Sequence, residues 1–296
     1  MGSGRERTGV SGKPFRFVQL DYAGTLGPAD GRYVLRDEPG GPPRRVVVLT
    51  TLDRPSRRPR RTRRARDAEP SSPPPTTRAT LIDPAAAGSE EEARGWLSGL
   101  RSDSEAMNAV VAQAARELNA LVRAHRVAAG DPFSPHVSAA GALVGRVGHG
   151  SGEEVADGRF SEAYEAPGHR RRTRRRELLE PQERLTRFVG GHRPMPASEE
   201  LVLRARIDVE AGRPREAALQ ARVALEALLA ELEDDETYSS PDRGDLAEAR
   251  TGVSEAANAA LRGDPSGAAQ AHVSDAVALM AKAVRRRAIA EGVPSR

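Results

Sequence analysis

Between Ala197 and Leu232 two stretches of helical periodicity meet at Gly212-Arg213-Pro214, a pattern that reads as a helical hairpin. Leu201, Ala205 and Val209 are expected on one face of the first segment, and Leu219, Val223, Leu228 and Leu232 on one face of the second. Gly212 tolerates the left-handed backbone of a helix C-terminus. Pro214 suits a first turn, where the N–H it lacks would have no partner. Such a hairpin specifies packing and says little about chemistry.

Leu201, Ala205, Gly212, Ala217 and Ala224 also fall at the spacing of one tetratricopeptide repeat, and 198–232 resembles such a repeat. The resemblance implies two closely packed helices and points to protein interaction. Arg204 and Asp208 stand where the repeat pattern has apolar or aromatic residues, Ala221 stands where it has a larger one, and no proline closes the unit. Solenoids need about three or more repeats for stability. Only one further degenerate helical pair follows here.

Composition limits the core. Aromatic residues make up 3% of the 296, so alanine, valine and leucine must supply most of it; 22 prolines and 28 glycines add well-formed modules joined by irregular chain. Lysine occurs only at Lys13 and Lys282, so the formal charge of +4 rests almost entirely on arginine. In this surplus of Ala, Arg, Gly and Pro the chain resembles proteins of GC-rich bacterial genomes. The lack of cysteine excludes disulfides, thiolate metal sites and thiol nucleophiles. No apolar leader opens the chain and no run approaches eighteen apolar residues, so the expectation is a cytoplasmic protein.

Read in order, the chain predicts an α+β fold: a small antiparallel sheet with helices in the N-terminal half, and helical hairpins in the C-terminal half. Residues 1–13 form a disordered N-terminus. An α+β domain follows over 14–167, with strands at Phe15–Tyr22, Arg32–Arg36, Val46–Leu49 and Ala79–Asp83. A disordered Arg/Pro-rich loop, 54–77, interrupts that domain. Ser89 with Glu92, and Ser102 with Glu105, make capping boxes for two helices; the second carries a stripe of Met107, Val110, Val111, Ala114, Leu118, Leu121, Val122 and His125. Gly141–Gly148 and Val155–Tyr164 read as two further strands around a Gly-rich turn. A basic linker, 168–176, leads into a helical domain over 177–291, and 292–296 is a tail.

No catalytic signature emerges. A Walker loop fails because Arg7 and Pro14 occupy required positions, and His149 breaks a Gly-x-Ser-x-Gly elbow at Ser151. The richest polar cluster is His149, Ser151, Glu153, Glu154 and Asp157, with His136 upstream, but its spacing matches no ligand set. No catalytic, cofactor or metal residue is assigned. The basic runs are the better-defined candidates: Arg57, Arg58, Arg60, Arg61, Arg63 and Arg64 in the first, and Arg170, Arg171, Arg172, Arg174, Arg175 and Arg176 in the second. Guanidinium groups neutralise phosphate without an ordered fold, although no aromatic residues interleave them to stack bases.

Three readings follow. First is a non-catalytic protein that binds a protein partner or itself through its C-terminal helices, without a membrane. Second is a nucleic-acid-associated protein using the arginine runs. Third is an enzyme with a site near 149–157.

Overall fold

The computed structural model describes residues 13–52, 75–166, 184–186, 188–190, 195–234 and 242–292. The chain divides into two compact units, 1–171 and 172–296. The first is α+β and the second helical, in agreement with the sequence.

In the first unit, β1 (Pro14–Ala23), β2 (Gly31–Leu35), β3 (Arg45–Leu52), β4 (Thr76–Ala86), β5 (Val144–Ser151) and β6 (Glu162–Glu165) form one antiparallel sheet in the order β2-β3-β4-β1-β5-β6. The central strand β1 is buried on both sides because both sides are covered. Val18, Leu20 and Tyr22 pack with Val47, Leu49, Leu81 and Val147 against α1 (Glu90–Ser102) and α2 (Ser104–Ala129). Phe17, Val48 and Ile82 pack on the other side with Val155 of α3 (Gly152–Ala156). The strand is therefore buried on both faces, with a register shift against β4 between Phe15 and Phe17.

Helix α1 starts as its capping box predicts. Ser89 Oγ accepts from the Glu92 amide at 3.1 Å, and the Glu92 carboxylate accepts from the Gly88 amide at 2.9 Å. The cap of α2 differs from expectation. Asp103, the single residue between the two helices, accepts from the amides of Glu105 and Ala106, while Ser102 donates back to the Gly99 carbonyl. A carboxylate offers more acceptor sites than a hydroxyl and adds favourable charge at the helix N-terminus. Trp96 on α1 is half-buried, with the Arg16 guanidinium 5.2 Å over its ring.

The Gly-rich stretch is not a turn. Strand β5 runs through Gly148, His149 and Gly150 to Ser151, then gives way to α3, and β6 is confined to Glu162–Glu165. A Cβ at Gly148 would sit 2.8 Å from Phe17 Cζ and 2.7 Å from Ala163 Cβ; one at Gly150 would sit 3.0 Å from Phe160 Cα. These glycines make room for neighbours inside a sheet, a requirement that local sequence does not distinguish from turn chemistry.

The second unit is a bundle of α4 (Ala197–Glu210), α5 (Pro214–Asp234), α6 (Asp242–Ala260) and α7 (Gly267–Gly292). Each helix packs on the next, and α7 returns to α4. Gly212 joins α4 to α5 with φ 65°, as the hairpin requires. The apolar stripe of α5 is not the expected one. Ala217, Ala221, Ala224, Leu228 and Leu232 are buried, whereas Leu219 and Val223 are exposed. At 3.6 residues per turn, 219 and 223 fall on the side opposite 228 and 232. Small residues face the bundle centre, with Ala205, Ala256 and Ala260 also buried.

One end of the bundle is tied by polar contacts to a single carboxylate. Pro196 gives α4 no side-chain cap, and Glu231 of α5 supplies one instead, accepting from the Ser198 amide at 2.9 Å and its hydroxyl at 2.6 Å. Arg287 of α7 donates to the same carboxylate at 3.0 Å. Helix α7 continues to Gly292, so Arg285–Arg287 lie within it. Of residues 177–194, which open the predicted helical domain, only 184–186 and 188–190 are described, with helical turns at 184–186 and 188–189.

Candidate functional site

The arginine runs lie outside the described residues. This holds for Arg57, Arg58, Arg60, Arg61, Arg63 and Arg64, and for Arg170, Arg171, Arg172, Arg174, Arg175 and Arg176.

The polar cluster around His149 is pulled apart by the strand it occupies. His149 is fully buried on the side of the sheet that faces α1, its Nδ1 3.4 Å from Glu90 Oε1 and its Nε2 3.7 Å from Glu162 Oε2. Neither ring nitrogen makes a hydrogen bond among the described residues. Glu153 and Asp157 lie at the α3 end, where both pair with Arg32 of β2. The Tyr164 hydroxyl donates to Glu162 at 2.7 Å and, with His149 and Arg94 nearby, holds that carboxyl below the usual range. His149 is thus out of a substrate's reach, and its two carboxylates address different nitrogens. Among the described residues no group of three or more His, Cys, Asp or Glu is placed to hold a metal ion.

On the sheet's opposite side, Asp21, Gln19 and Thr80 are buried. Arg78 donates twice to Asp21, and Arg146 donates to Gln19 and to Glu165. Each charge in this group has a partner, so the arrangement cross-links β4, β1, β5 and β6 and leaves no cation free for a ligand.

The helical unit differs. A groove runs between α4 and α7, with a cavity of about 410 Å³ bounded by Val209, Val277, Ala278, Ala281, Lys282 and Arg285, and a second of about 290 Å³ where Gly212 and Pro214 face Gln270 and Val273. Its lining combines apolar Val209, Val277 and Ala281 with polar Ser274. Most arginines of the bundle are engaged: Arg206 with Glu210, Arg213 with Asp208, Arg250 with Glu226, Arg286 with Asp242 and Arg287 with Glu231. Lys282 and Arg285 are exposed and have no ion pair or hydrogen bond among the described residues. Neither was singled out from the sequence as a site. The available signal was Lys282, one of two lysines in the chain, three residues before Arg285 on the helix surface.

Outside the groove, Leu203 and Ile207 of α4 and Leu219 and Val223 of α5 are exposed, Leu203 at 55% and Val223 at 53%. In each helix the pair is spaced i, i+4, and the two pairs lie at similar distances from the Gly212 turn. Among the described residues no helix is long and apolar enough to cross a membrane.

No family model matches this chain, and no curated protein or solved structure matches it.

Proposed function

We propose that this is a cytoplasmic, non-catalytic interaction protein whose C-terminal helices bind a protein partner or a second copy of the chain. The observation that carries the reading is the set of exposed apolar side chains on the α4–α5 hairpin: Leu203, Ile207, Leu219 and Val223. Exposed apolar side chains gain free energy when a second surface removes them from water, at roughly 25 cal/mol per Å². The test is chemical cross-linking and light scattering of the full chain across a concentration series. Dimers that Leu203→Glu with Val223→Glu returns to monomer support self-association. A chain that stays monomeric throughout, with no specific protein partner, overturns the reading.

A second reading is favoured by the eight arginines between Arg54 and Arg66. In it the run neutralises nucleic-acid phosphates, and binding falls steeply with salt. Retention on heparin that disappears on deletion of 54–66 supports it; equal retention with and without the run excludes it.

A further inference from the structure

We infer that the groove between α4 and α7 receives a short acidic segment of a partner protein, with an apolar anchor on its floor and carboxylates at Lys282 and Arg285. The inference rests on the interaction reading above and concerns a different surface from the exposed α4–α5 residues.

Charge selects the occupant. Of the charged side chains bounding the larger cavity, Arg206 and Glu210 neutralise one another through a 2.7 Å contact. Lys282 and Arg285 remain, giving that end of the groove a net charge of +2 without counter-charge among the described residues. The two sit one turn apart on α7, so two carboxylates on consecutive turns or alternate positions of a bound segment reach both. Val209, Val277, Ala278 and Ala281 form the apolar part of the lining. Ala278 and Ala281 are small, which lets a partner's backbone come close and a larger apolar side chain enter between the helices. The span from Gln270 to Arg285 along α7 is about 22 Å at 1.5 Å per residue. That length accommodates about six or seven residues of extended chain, or about four turns of helix.

The same features disfavour nucleic acid at this place. The groove has no aromatic side chain on which a base can stack. Two free cations neutralise two phosphates at most, too few for the counterion release that drives backbone binding.

The experiment is selection of a displayed random twelve-residue peptide library on the immobilised full chain and, in parallel, on the Lys282→Glu, Arg285→Glu variant. Both changes are at exposed positions without described partners, so the variant should keep its helical circular dichroism; Lys282→Gln with Arg285→Gln is carried as a milder second variant. The expected result is enrichment of peptides combining an apolar residue with two or more Asp or Glu. The best of them, labelled with fluorescein, should bind the parent saturably and at least tenfold more weakly to the charge-reversed variant, with the neutral variant between. No enrichment, enrichment of peptides without net negative charge, or equal binding to all three proteins overturns the inference. So does a twelve-residue oligouridylate that displaces the peptide at lower concentration than the peptide itself binds. Failure here, with oligomers still dissociated by Leu203→Glu and Val223→Glu, removes the acidic partner and leaves the interaction reading intact; loss of those oligomers in addition removes both.

Discussion

Arg78 on β4 reaches Asp21 on β1 through two near-parallel hydrogen bonds, Nε to Oδ1 and Nη2 to Oδ2, each 2.8 Å long. The bonds lie on the sheet face away from α1 and α2, and the Asp21 side chain is only 8% exposed. They hold the guanidinium above even its high ordinary range, burial working the other way. Arg78→Met is expected to cost about 2 kcal/mol, less than the 3–5 typical of a fully buried pair. Arg146, 3.6 Å from Asp21, takes up part of the charge. Arg78→Lys keeps the charge without the fork and is expected to lose about half as much. The double change Asp21→Leu with Arg78→Met should be far milder than the sum of the singles. Urea titrations followed by the emission of Trp96, the only tryptophan, read these differences in the sheet unit alone.

Gly148→Ala is expected to be among the most damaging single-methyl additions in the sheet unit. The new Cβ would lie 2.4 Å from the Glu162 carbonyl, 2.7 Å from Ala163 Cβ and 2.8 Å from Phe17 Cζ, and a backbone carbonyl cannot rotate away. Overpacking of this kind costs about 1–3 kcal/mol or more. The same substitution at Gly24, where a Cβ meets nothing within 4 Å but φ is +85°, tests backbone strain without crowding. Thermal melts of the two variants separate the causes: Gly148→Ala should lower the midpoint more.

His149→Phe is expected to be neutral or mildly stabilising. The phenyl ring, although larger than imidazole, removes two buried ring nitrogens that have no hydrogen bond among the described residues. Glu90 and Glu162 remain part-exposed to water, so neither is left as an uncompensated buried charge. His149→Ala should instead cost about 2–4 kcal/mol through the cavity it opens. A loss above about 2 kcal/mol in both His149→Phe and the smaller His149→Leu would mean that the imidazole's approach to the two carboxylates stabilises the fold.

Glu231 joins three helices, and its carboxyl is held below the usual range. Burial acts to raise it, but hydrogen bonds from Ser198 and Arg287 outweigh that effect. A carboxyl depressed in the folded state stabilises above its unfolded value of about 4.3, and the contribution is lost as pH falls through the lower folded value. The helical unit should therefore lose stability below about pH 4.3, and Glu231→Gln should flatten that part of the profile. Glu231→Ala should cost about 2–3 kcal/mol at pH 7, because it leaves Arg287 buried without this partner and α4 without its cap. Far-ultraviolet circular dichroism against urea at pH 7 and at pH 3.5 checks both.

Long apolar runs made the first four strands, and the helix through Met107 and Leu118, readable from sequence, because burial on a defined face leaves a periodic record. Gly148 fell in a strand as expected, but Gly150 was misleading, for the same reason that makes both informative in three dimensions. They leave space for Phe17, Ala163 and Phe160, residues distant in sequence or on another strand, and no local pattern encodes that. Alanine defeats periodicity differently. Ala217, Ala221 and Ala224 carry too little hydrophobic signal to outweigh Leu219 and Val223, so the sequence pointed to the wrong side of α5. The candidate groove was hidden because it depends on which charges find partners. Arg285, Arg286 and Arg287 look equivalent as a run, yet Arg286 turns to Asp242, Arg287 to Glu231, and Arg285 to neither.

The alanine-lined interior of the bundle also sets how the helical unit responds to temperature. Unfolding it uncovers little apolar surface per residue, and the heat-capacity change follows that surface, so it should fall below the usual 12–15 cal/mol/K per residue, roughly. A small heat-capacity change flattens the curve of stability against temperature. The helix that presents Lys282 and Arg285 therefore keeps nearly the same margin of stability in the cold as in the warm.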